Sequence, residues 1–271
     1  MTPQLSRRLV LAAPALLLAG RARAVTLNEA TLTQGGFVVG RAAPGTRLAL
    51  DGRAVRVSPA GDFAFGFGRD HAAQARLAIT APAGAAETRV LNIAKRQWPT
   101  ESISGLPPAQ VTPDAETLTR IAREREKLGA IRALESGLTG FAEGFVRPAP
   151  GRISGVFGSQ RILNGQPRQP HYGLDFAAPT GTPVVSCAAG RVTLADEFHF
   201  FGKLIVVDHG HGVNSLYAHL SEIAVREGEN ITKGQRIGAI GMTGRVTGPH
   251  LHFSLSWFQQ WLDPQPVVLP S

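Results

Sequence analysis

The sequence predicts a mainly β protein in which two β regions are joined by a helical connector. Short apolar runs separated by turns that contain glycine or proline fill residues 25–97, and they return from residue 145 to the end. Residues 98–144 between them contain a stretch with a helical period. Short strands at regular intervals with turn signals between them are typical of antiparallel β structure. We therefore expect an antiparallel β domain on each side of the connector.

Residues 1–24 have the pattern of an export signal. Arg7 and Arg8 precede an apolar run from Leu9 to Ala19, and Ala22-Arg23-Ala24 has the small residues of a cleavage site. The paired arginines favour the twin-arginine route over a general secretory signal, and the apolar run is too short for a membrane-spanning helix. We expect a mature chain from about Val25, a periplasmic location and no membrane anchor once the signal is removed.

Charge and cysteine content narrow the possible partners and the possible sites. Loss of residues 1–24 removes four arginines and no acid, which lowers the formal net charge from +8 to +4. This mild charge, without a clustered basic face, argues against a nucleic-acid partner. Cys187 is the single cysteine, so the chain forms no internal disulfide. It lies in an apolar, strand-like run and is interpreted as a buried structural thiol.

Residues 25–97 are predicted to form a small immunoglobulin-like β-sandwich. Asp51-Gly52 between apolar strands is a strong hairpin signal. Further turn signals occur at Pro44-Gly45 and at Pro59-Ala60-Gly61-Asp62, and short strands at such spacing fit a sandwich of this type. His71 is the only histidine of this region. We interpret the domain as a spacer or binding module without its own chemistry.

Residues 98–144 are predicted to be a linker with one helix. Thr112-Pro113-Asp114 indicates the helix start, with Thr112 as the N-cap, and the helix is expected to end near Ser136-Gly137. Its apolar positions form one narrow stripe made of Leu118, Ile121, Leu128, Ile131 and Leu134. One such stripe suits a helix that lies across a domain face, with its charged remainder in solvent.

Seven of the eight histidines lie in residues 145–271. In a strand, His250 and His252 point to the same face, about 6.5–7 Å apart along the chain. This separation suits one histidine binding a metal while the other works beside it. His171 and Asp175 lie about 13 Å apart in a straight strand. They bind one metal together only if the backbone bends between them, which Gly173 permits.

The possible donors predict a catalytic metal site. His171, Asp175 and one of His250 and His252 supply two imidazoles and a carboxylate. Three protein ligands plus a water molecule are typical of catalytic zinc, whereas structural zinc sites have four protein ligands. A single cysteine excludes a thiolate-rich site, and the His-Glu-x-x-His pattern is absent.

Several short motifs follow one another between Gly151 and Pro264. They are His171-x-x-x-Asp175, Gly181-Thr182-Pro183-Val184, Gly190-Arg191-Val192, His209-Gly210, Tyr217-Ala218-His219-Leu220, Gly234-Gln235-x-Ile237-Gly238, Gly241-x-Thr243-Gly244 and Gly248-Pro249-His250-Leu251-His252-Phe253. With this ordered set, residues 145–271 resemble the lysostaphin/LytM-type zinc endopeptidases, which cut the peptide cross-links of bacterial cell walls.

The resemblance implies a role for five residues. His171, Asp175 and His252 correspond to the ligands of one zinc ion per catalytic domain. His219 and His250 correspond to the catalytic pair, which positions or deprotonates the attacking water and stabilises the developing oxyanion. The sequence leaves open which of the two does which.

Other polar residues of this region have simpler interpretations. His209 is common in the family without being a ligand, so we expect a structural role, and His199 and His211 are expected in turns or loops. Arg161 and Asn164, in the loop before His171, are in a position to contact substrate, but ordinary loop polarity is the simpler interpretation.

The resemblance predicts a zinc-dependent endopeptidase that hydrolyses peptidoglycan cross-links during cell-wall remodelling. The D-alanyl–diaminopimelate bond is favoured for an exported Gram-negative enzyme, and a glycine bridge is left open. One alternative is a non-catalytic activator or binding protein for another wall hydrolase; such relatives lack some of the five residues. A second alternative is a zinc peptidase acting on a protein. Oligomeric state and the position of the connector helix relative to the site are also open.

Overall fold

The computed structural model describes residues 25–105 and 113–269. The expected export signal and the proposed N-cap Thr112 lie outside these residues. Within the described residues, no helix combines the length and the apolar character needed to cross a membrane.

Seven strands form two antiparallel sheets in the N-terminal region. They are β1 (Val25–Leu27), β2 (Phe37–Ala42), β3 (Arg47–Leu50), β4 (Arg53–Val55), β5 (Asp62–Gly66), β6 (Gln74–Thr80) and β7 (Ala86–Asn92). One sheet has the order β1-β2-β5 and the other β4-β3-β6-β7. Asp51 and Gly52 join β3 to β4 with φ of 47° and 84°, which confirms the predicted hairpin, because a two-residue turn of this kind needs two positive φ angles. The immunoglobulin-like type stays a prediction.

The connector contains a strand as well as the expected helix. Strand β8 (Thr100–Ile103) is followed by helix α1 (Ala115–Ala133) and a short 3₁₀ helix (Gly140–Glu143). The N-cap of α1 is Asp114, whose carboxylate accepts a hydrogen bond from the Thr117 N–H at 2.8 Å. The expectation that Thr112 caps this helix was therefore wrong: the helix begins at Ala115, so the N-cap position directly before it is occupied by Asp114, a residue type that is strongly preferred there.

The C-terminal region is built around a ten-stranded sheet. The strands of this region are β9 (Arg152–Gly155), β10 (Gln160–Leu163), β11 (Gln166–Pro167), β12 (Leu174–Ala177), β13 (Pro183–Val185), β14 (Gly190–Phe198), β15 (Gly202–Gly210), β16 (Val213–Ile223), β17 (Asn230–Ile231), β18 (Arg236–Ile240), β19 (His250–Trp257) and β20 (Gln260–Leu262). Strands β10 and β11 belong to a smaller sheet, and the other ten form the large one. A short helix, α2 (Gln265–Val268), follows. The main path of the large sheet is β17-β14-β15-β16-β19-β12-β9, with β13, β18 and β20 attached. Its pairings are antiparallel, as expected.

The two faces of this sheet are covered differently. One face carries a large apolar core that includes Tyr217, Phe253 and Leu251. The other face carries a smaller cluster, in which Leu128 of α1 packs on Leu216 and Ala218 of β16 and on residues of β14 and β15. Ala218 is the cross-strand partner of His252, and such partners project to the same face. Helix α1 therefore lies on the face of the sheet that carries His252.

The N-terminal sheets share a hydrophobic core with the C-terminal domain. The N-terminal residues Phe63 and Phe65 belong to the same buried cluster as Trp257, Phe258 and Leu262 at the far end of β19 and in β20. Burial of this apolar area fixes the N-terminal region against the domain that carries the histidines. The region is thus packed on the C-terminal domain rather than held by the linker alone.

The linker contributes one strand, β8, to a small sheet of the C-terminal domain. Strand β8 pairs in parallel with β10, which forms a hairpin with β11. This small sheet lies in the segment that leads to His171. The sequence analysis assigned only a helix to the linker, because a four-residue strand between prolines has no pattern of its own and is defined by its distant partner.

Candidate metal centre

His171, Asp175 and His252 converge at one buried point. Nε2 of His171 lies 3.0 Å from Oδ1 of Asp175 and 3.0 Å from Nδ1 of His252. Nδ1 of His252 lies 2.9 Å from the same carboxylate oxygen. All three side chains are buried, and together they form a candidate metal site.

Strand register brings two of the three residues together. Asp175 on β12 and His252 on β19 are direct cross-strand partners, so their side chains project to the same face about 5 Å apart at Cβ. His250 is the partner of Ala177 instead. His171 precedes β12, and the bend at Gly173 returns its ring to Asp175. The required bend therefore occurs at the glycine that the sequence pointed to.

Two glycines make room for the site. A Cβ atom on Gly173 would lie 2.6 Å from Cε1 of His252 and 2.6 Å from the Phe253 carbonyl oxygen. A Cβ atom on Gly155 of β9 would lie 2.4 Å from Oδ2 of Asp175. Gly173 is thus needed for the close approach of His252 and not for a left-handed backbone, since its φ is not positive.

Gly173→Ala is expected to destabilise the fold and to weaken metal binding. The new methyl group would overlap a ring and a backbone carbonyl, and the carbonyl of a central strand has little freedom to move. Overpacking of this kind costs about 1–3 kcal/mol. Thermal unfolding and zinc titration measure the two effects. Gly248→Ala is the matched control, because a Cβ there meets nothing within 4 Å; equal behaviour of the two variants would contradict the expectation.

Hydrogen bonds orient both imidazole ligands. Nδ1 of His171 lies 3.0 Å from the Val156 carbonyl oxygen. A carbonyl oxygen only accepts, so this nitrogen carries the proton and Nε2 of the neutral ring presents a lone pair. Nε2 of His252 lies 2.9 Å from Oγ of Ser254, and the hydroxyl oxygen can accept a hydrogen bond from the Nε2–H group. The Nδ1 lone pair of His252 then faces Asp175. Hydrogen-bond partners of metal-binding histidines commonly fix the tautomer and the orientation of the ring in this way.

The protonation states suit metal binding at neutral pH. Burial by itself would raise the pKa of Asp175, but the interactions with His171 and His252 hold that pKa well below its usual value. Burial lowers the pKa of His252 to about 4, although Asp175 acts in the opposite direction. Metal ligands must be deprotonated to bind, and both groups are so at pH 7.

The donor set fits a divalent cation of the zinc type. In the tautomers just described, three lone-pair donors face one another at 2.9–3.0 Å with no proton between them. Acceptors held this close repel one another unless a cation lies among them. Two imidazole nitrogens and one carboxylate form the ligand set of many catalytic zinc sites, in which the fourth position is left for water or substrate.

His219 and His250 lie beside this triad. Their ring centres are 4.8 Å apart, and the His219 ring is 5.9 Å from that of His252. Nε2 of His250 lies 4.0 Å from Oδ1 of Asp175. The structure thus brings all five residues singled out in the sequence into one cluster.

Backbone carbonyls fix the tautomers of these two rings. Nδ1 of His219 donates to the Thr243 carbonyl at 2.9 Å, and Nδ1 of His250 donates to the Gly248 carbonyl at 2.9 Å. Each neutral ring therefore presents Nε2 as an acceptor. Burial, with added effects of His252 and His250, lowers the pKa of His219 to about 3. His219 also has a φ of 63°, a sparsely populated backbone conformation that tends to occur at functional sites.

Aromatic residues of the β14–β15 turn border the cluster. The ring of Phe201 lies 6.1 Å from that of His252, and the Phe201 carbonyl accepts a hydrogen bond from the His219 N–H at 2.8 Å. The guanidinium of Arg245 lies 4.2 Å from the ring centre of Phe200. This turn therefore both holds His219 and forms one wall of the site.

Several contributors were not singled out by the sequence. Ser254 lies two residues after His252, so strand alternation alone places it on the same face. Gly155 has no comparable signal, because its role depends on contacts with residues that are distant in the chain. Thr243 belongs to the motif Gly241-x-Thr243-Gly244, but the motif does not show that the Thr243 carbonyl accepts a hydrogen bond from His219. Arg161 was considered as a possible substrate contact, but ordinary loop polarity was the simpler interpretation; its Nη2 lies 3.6 Å from Oδ2 of Asp175. Asn164 lies in the β10–β11 turn with a φ of 46°.

His209 and Cys187 belong to a separate buried network. Nδ1 of His209 donates to the Ala189 carbonyl at 2.8 Å, and its Nε2 lies 2.7 Å from Oγ of Ser215. Burial lowers the pKa of His209 to about 4 and raises that of the Cys187 thiol to about 11. The expected buried thiol is confirmed, and both residues have structural contacts.

Comparison with known proteins points to one family. Residues 169–264 match the model of peptidase family M23. Peptidoglycan DD-endopeptidase ShyA of Vibrio cholerae is 45% identical over 105 residues, which are 38% of this chain and 24% of ShyA. DD-carboxypeptidase/endopeptidase Mpg of Neisseria meningitidis is 41% identical over 120 residues, which are 44% of this chain and 28% of Mpg. The chain thus spans about a quarter of the length of these relatives.

A solved structure extends the likeness to the N-terminal region. A Pseudomonas aeruginosa protein assigned to peptidase M23 is 28% identical, with a TM-score of 0.69, and the match covers 88% of this chain and 95% of that protein. Coverage of this extent includes the N-terminal sheets and the connector as well as the domain that carries the histidines.

Proposed function

The C-terminal domain of this chain belongs to peptidase family M23, and from this premise we propose that the protein is a zinc-dependent endopeptidase that hydrolyses the peptide cross-links of peptidoglycan. Relatives named as peptidoglycan DD-endopeptidases support the substrate class. Because the chain spans only part of these relatives, the activity of the whole protein is part of the proposal.

The observation that carries the proposal is the complete cluster of five side chains. Three of them form the candidate metal site, and the two remaining imidazoles lie next to it with acceptor nitrogens available. A non-catalytic activator would not need both parts. The described residues therefore favour an enzyme over the activator alternative.

The residues have distinct tasks in the proposed reaction. A zinc ion, when bound, supplies a Lewis acid that polarises the scissile carbonyl and makes a water molecule nucleophilic near neutral pH. His219 and His250 then hold the water by Nε2, take up its proton as the oxygen attacks the carbonyl carbon, and deliver a proton to the leaving amine as the C–N bond breaks. The imidazole that carries the proton also stabilises the developing negative charge.

The test is hydrolysis of purified cross-linked muropeptide dimers, with and without a zinc chelator. We expect the metal-loaded protein to convert dimers to monomers and the chelated protein to leave them intact, with activity restored when zinc is added back. The mass of the monomers identifies the bond that is cut. We propose the D-alanyl–diaminopimelate bond.

Two results would contradict the proposal in different ways. Absence of bound zinc in the purified and zinc-titrated protein would remove the metal-site assignment. Stoichiometric zinc without cleavage of dimers, together with stimulation of a second wall hydrolase, would favour the activator alternative.

A further inference from the structure

Arg161 is placed beside the candidate metal site by the linker strand. In the parallel pairing of β8 with β10, Glu101 is the register partner of Arg161. Nε of Arg161 lies 3.7 Å from Oε2 of Glu101, and Nη2 lies 3.6 Å from Oδ2 of Asp175. The guanidinium group is therefore held between a linker carboxylate and a candidate metal ligand.

This guanidinium has hydrogen-bonding capacity that its neighbours do not use. Both contacts with carboxylates are longer than a hydrogen bond, which spans about 2.7–3.2 Å. Nε of Arg161 is buried and has no hydrogen-bond partner among the described residues. About a quarter of the side chain is exposed. Arginine offers five N–H donors in a planar fork that matches a carboxylate. The buried Nε faces Glu101, so a ligand carboxylate would bind to the terminal Nη groups.

Two further arginines add positive charge around the same site. Arg168 follows strand β11, and Arg245 lies in the loop that precedes β19. Burial, together with the charges of Arg161 and Arg168, lowers the pKa of Arg245 to about 10, which places the three cations within electrostatic reach of one another. Arg161 and Arg168 belong to the β10–β11 segment and Arg245 to the loop before β19, so cations from two segments of the chain lie near one another and together attract an anionic group.

The short distance between Arg161 and the candidate metal site limits the position of that anionic group in a substrate. The carboxylate of Asp175 is shared between the candidate metal site and the contact with Arg161. An anion bound by Arg161 therefore lies within a few bonds of the scissile amide. A glycine bridge has no carboxylate at this position. In a D-alanyl–diaminopimelate cross-link, the carbon that bears the scissile nitrogen also bears a free carboxylate.

We propose that Arg161 binds the free carboxylate on the carbon attached to the scissile amide nitrogen, and that Arg168 and Arg245 strengthen this anion subsite. The inference rests on the proposed function and deepens it, because it selects cross-links with an adjacent carboxylate over glycine bridges. Arg161 is thus a specificity-determining residue, held in place by the linker strand of the chain.

The test compares two muropeptide dimers that differ only at this carboxylate, which is free in one and amidated in the other. We expect the wild-type protein to cut the free-acid dimer at least about 10-fold more efficiently in kcat/KM, the range of a charge-assisted hydrogen bond. Arg161→Gln is expected to lower kcat/KM for the free-acid dimer about 10- to 100-fold, mainly through KM. It is expected to change the amidated dimer little.

Controls separate substrate binding from damage to the site. Arg236→Gln removes an exposed arginine that pairs with Glu222, and it is expected to leave both rates unchanged. Zinc content and melting temperature are measured for every variant. Calorimetry with the metal-free protein gives a readout besides hydrolysis, since the free-acid dimer is expected to bind the wild type more tightly than Arg161→Gln.

The possible outcomes distinguish the two proposals. If the wild type cuts neither dimer, the proposed function fails. If the wild type cuts both dimers with the same kcat/KM, the function stands and the anion subsite is overturned, whatever the variants do. A selectivity that persists in Arg161→Gln would equally overturn the role of Arg161.

Discussion

Replacing His252 by alanine is expected to remove both the bound metal and the hydrolase activity. The substitution deletes one of the three donors that meet at 2.9–3.0 Å and leaves only His171 and Asp175. Partners that merely orient a ligand change metal affinity about 10- to 100-fold, so loss of a ligand is expected to cost more than about 100-fold in zinc affinity. A catalytic metal of the proposed kind contributes several kcal/mol to the transition state, so activity should fall at least about 1,000-fold.

Metal analysis and dimer hydrolysis measure these two effects. His71→Ala is the matched control, since His71 lies between β5 and β6 of the N-terminal region and contacts Phe67 rather than the metal site. It is expected to keep one zinc per chain and full activity. A His252→Ala protein that still binds one zinc with wild-type affinity would show that His252 is not a ligand.

Replacing His219 by alanine is expected to separate catalysis from metal binding. Its ring lies next to His250 and near His252 but is outside the group of three donors. Its Nδ1 is tied to the Thr243 carbonyl, so Nε2 is the atom available to a water molecule. We expect zinc content to stay at one per chain while kcat falls about 100- to 10,000-fold, the usual range for loss of a general acid or base.

The double variant His219→Ala/His250→Ala tests whether the two histidines act as a unit. Groups that act together show strongly non-additive losses, so the double variant should be little worse than the more damaged single variant. Single-turnover kinetics with quantified zinc distinguish a chemical defect from a loss of metal. Wild-type kcat in His219→Ala would remove this residue from the catalytic machinery.

Local sequence was sufficient for the β character of the two domains, the β-hairpin at Asp51-Gly52 and the existence of the connector helix. It was not sufficient for the ends and the docking of that helix. Leu118 and Leu134, counted in the apolar stripe, are 53% and 54% exposed, whereas Ile121 and Leu128 are buried. Helical spacing shows which residues share a face, but only the surface of the sheet decides how much of that face is covered.

Strand β8, which reaches the site, was likewise not predictable from local sequence. Its four residues become a strand by pairing with β10, about sixty residues later. That pairing places Glu101 beside Arg161 and so brings a linker residue close to Asp175. Contacts between segments so far apart in sequence leave no local pattern, and the linker therefore appeared to contain only a helix.

The sequence by itself determined which residues are available for the chemistry. Strand alternation put His250 and His252 on one face, and Gly173 marked the bend that His171 and Asp175 require to meet. Alternation could not choose between His250 and His252, since both satisfy it equally. Strand register made the choice: β12 pairs with β19 so that His252 lies opposite Asp175 and His250 opposite Ala177. Direct cross-strand partners are about 5 Å apart, while the next pair on the same face is about 7–8 Å away, so only His252 joins the donors and His250 is left beside them.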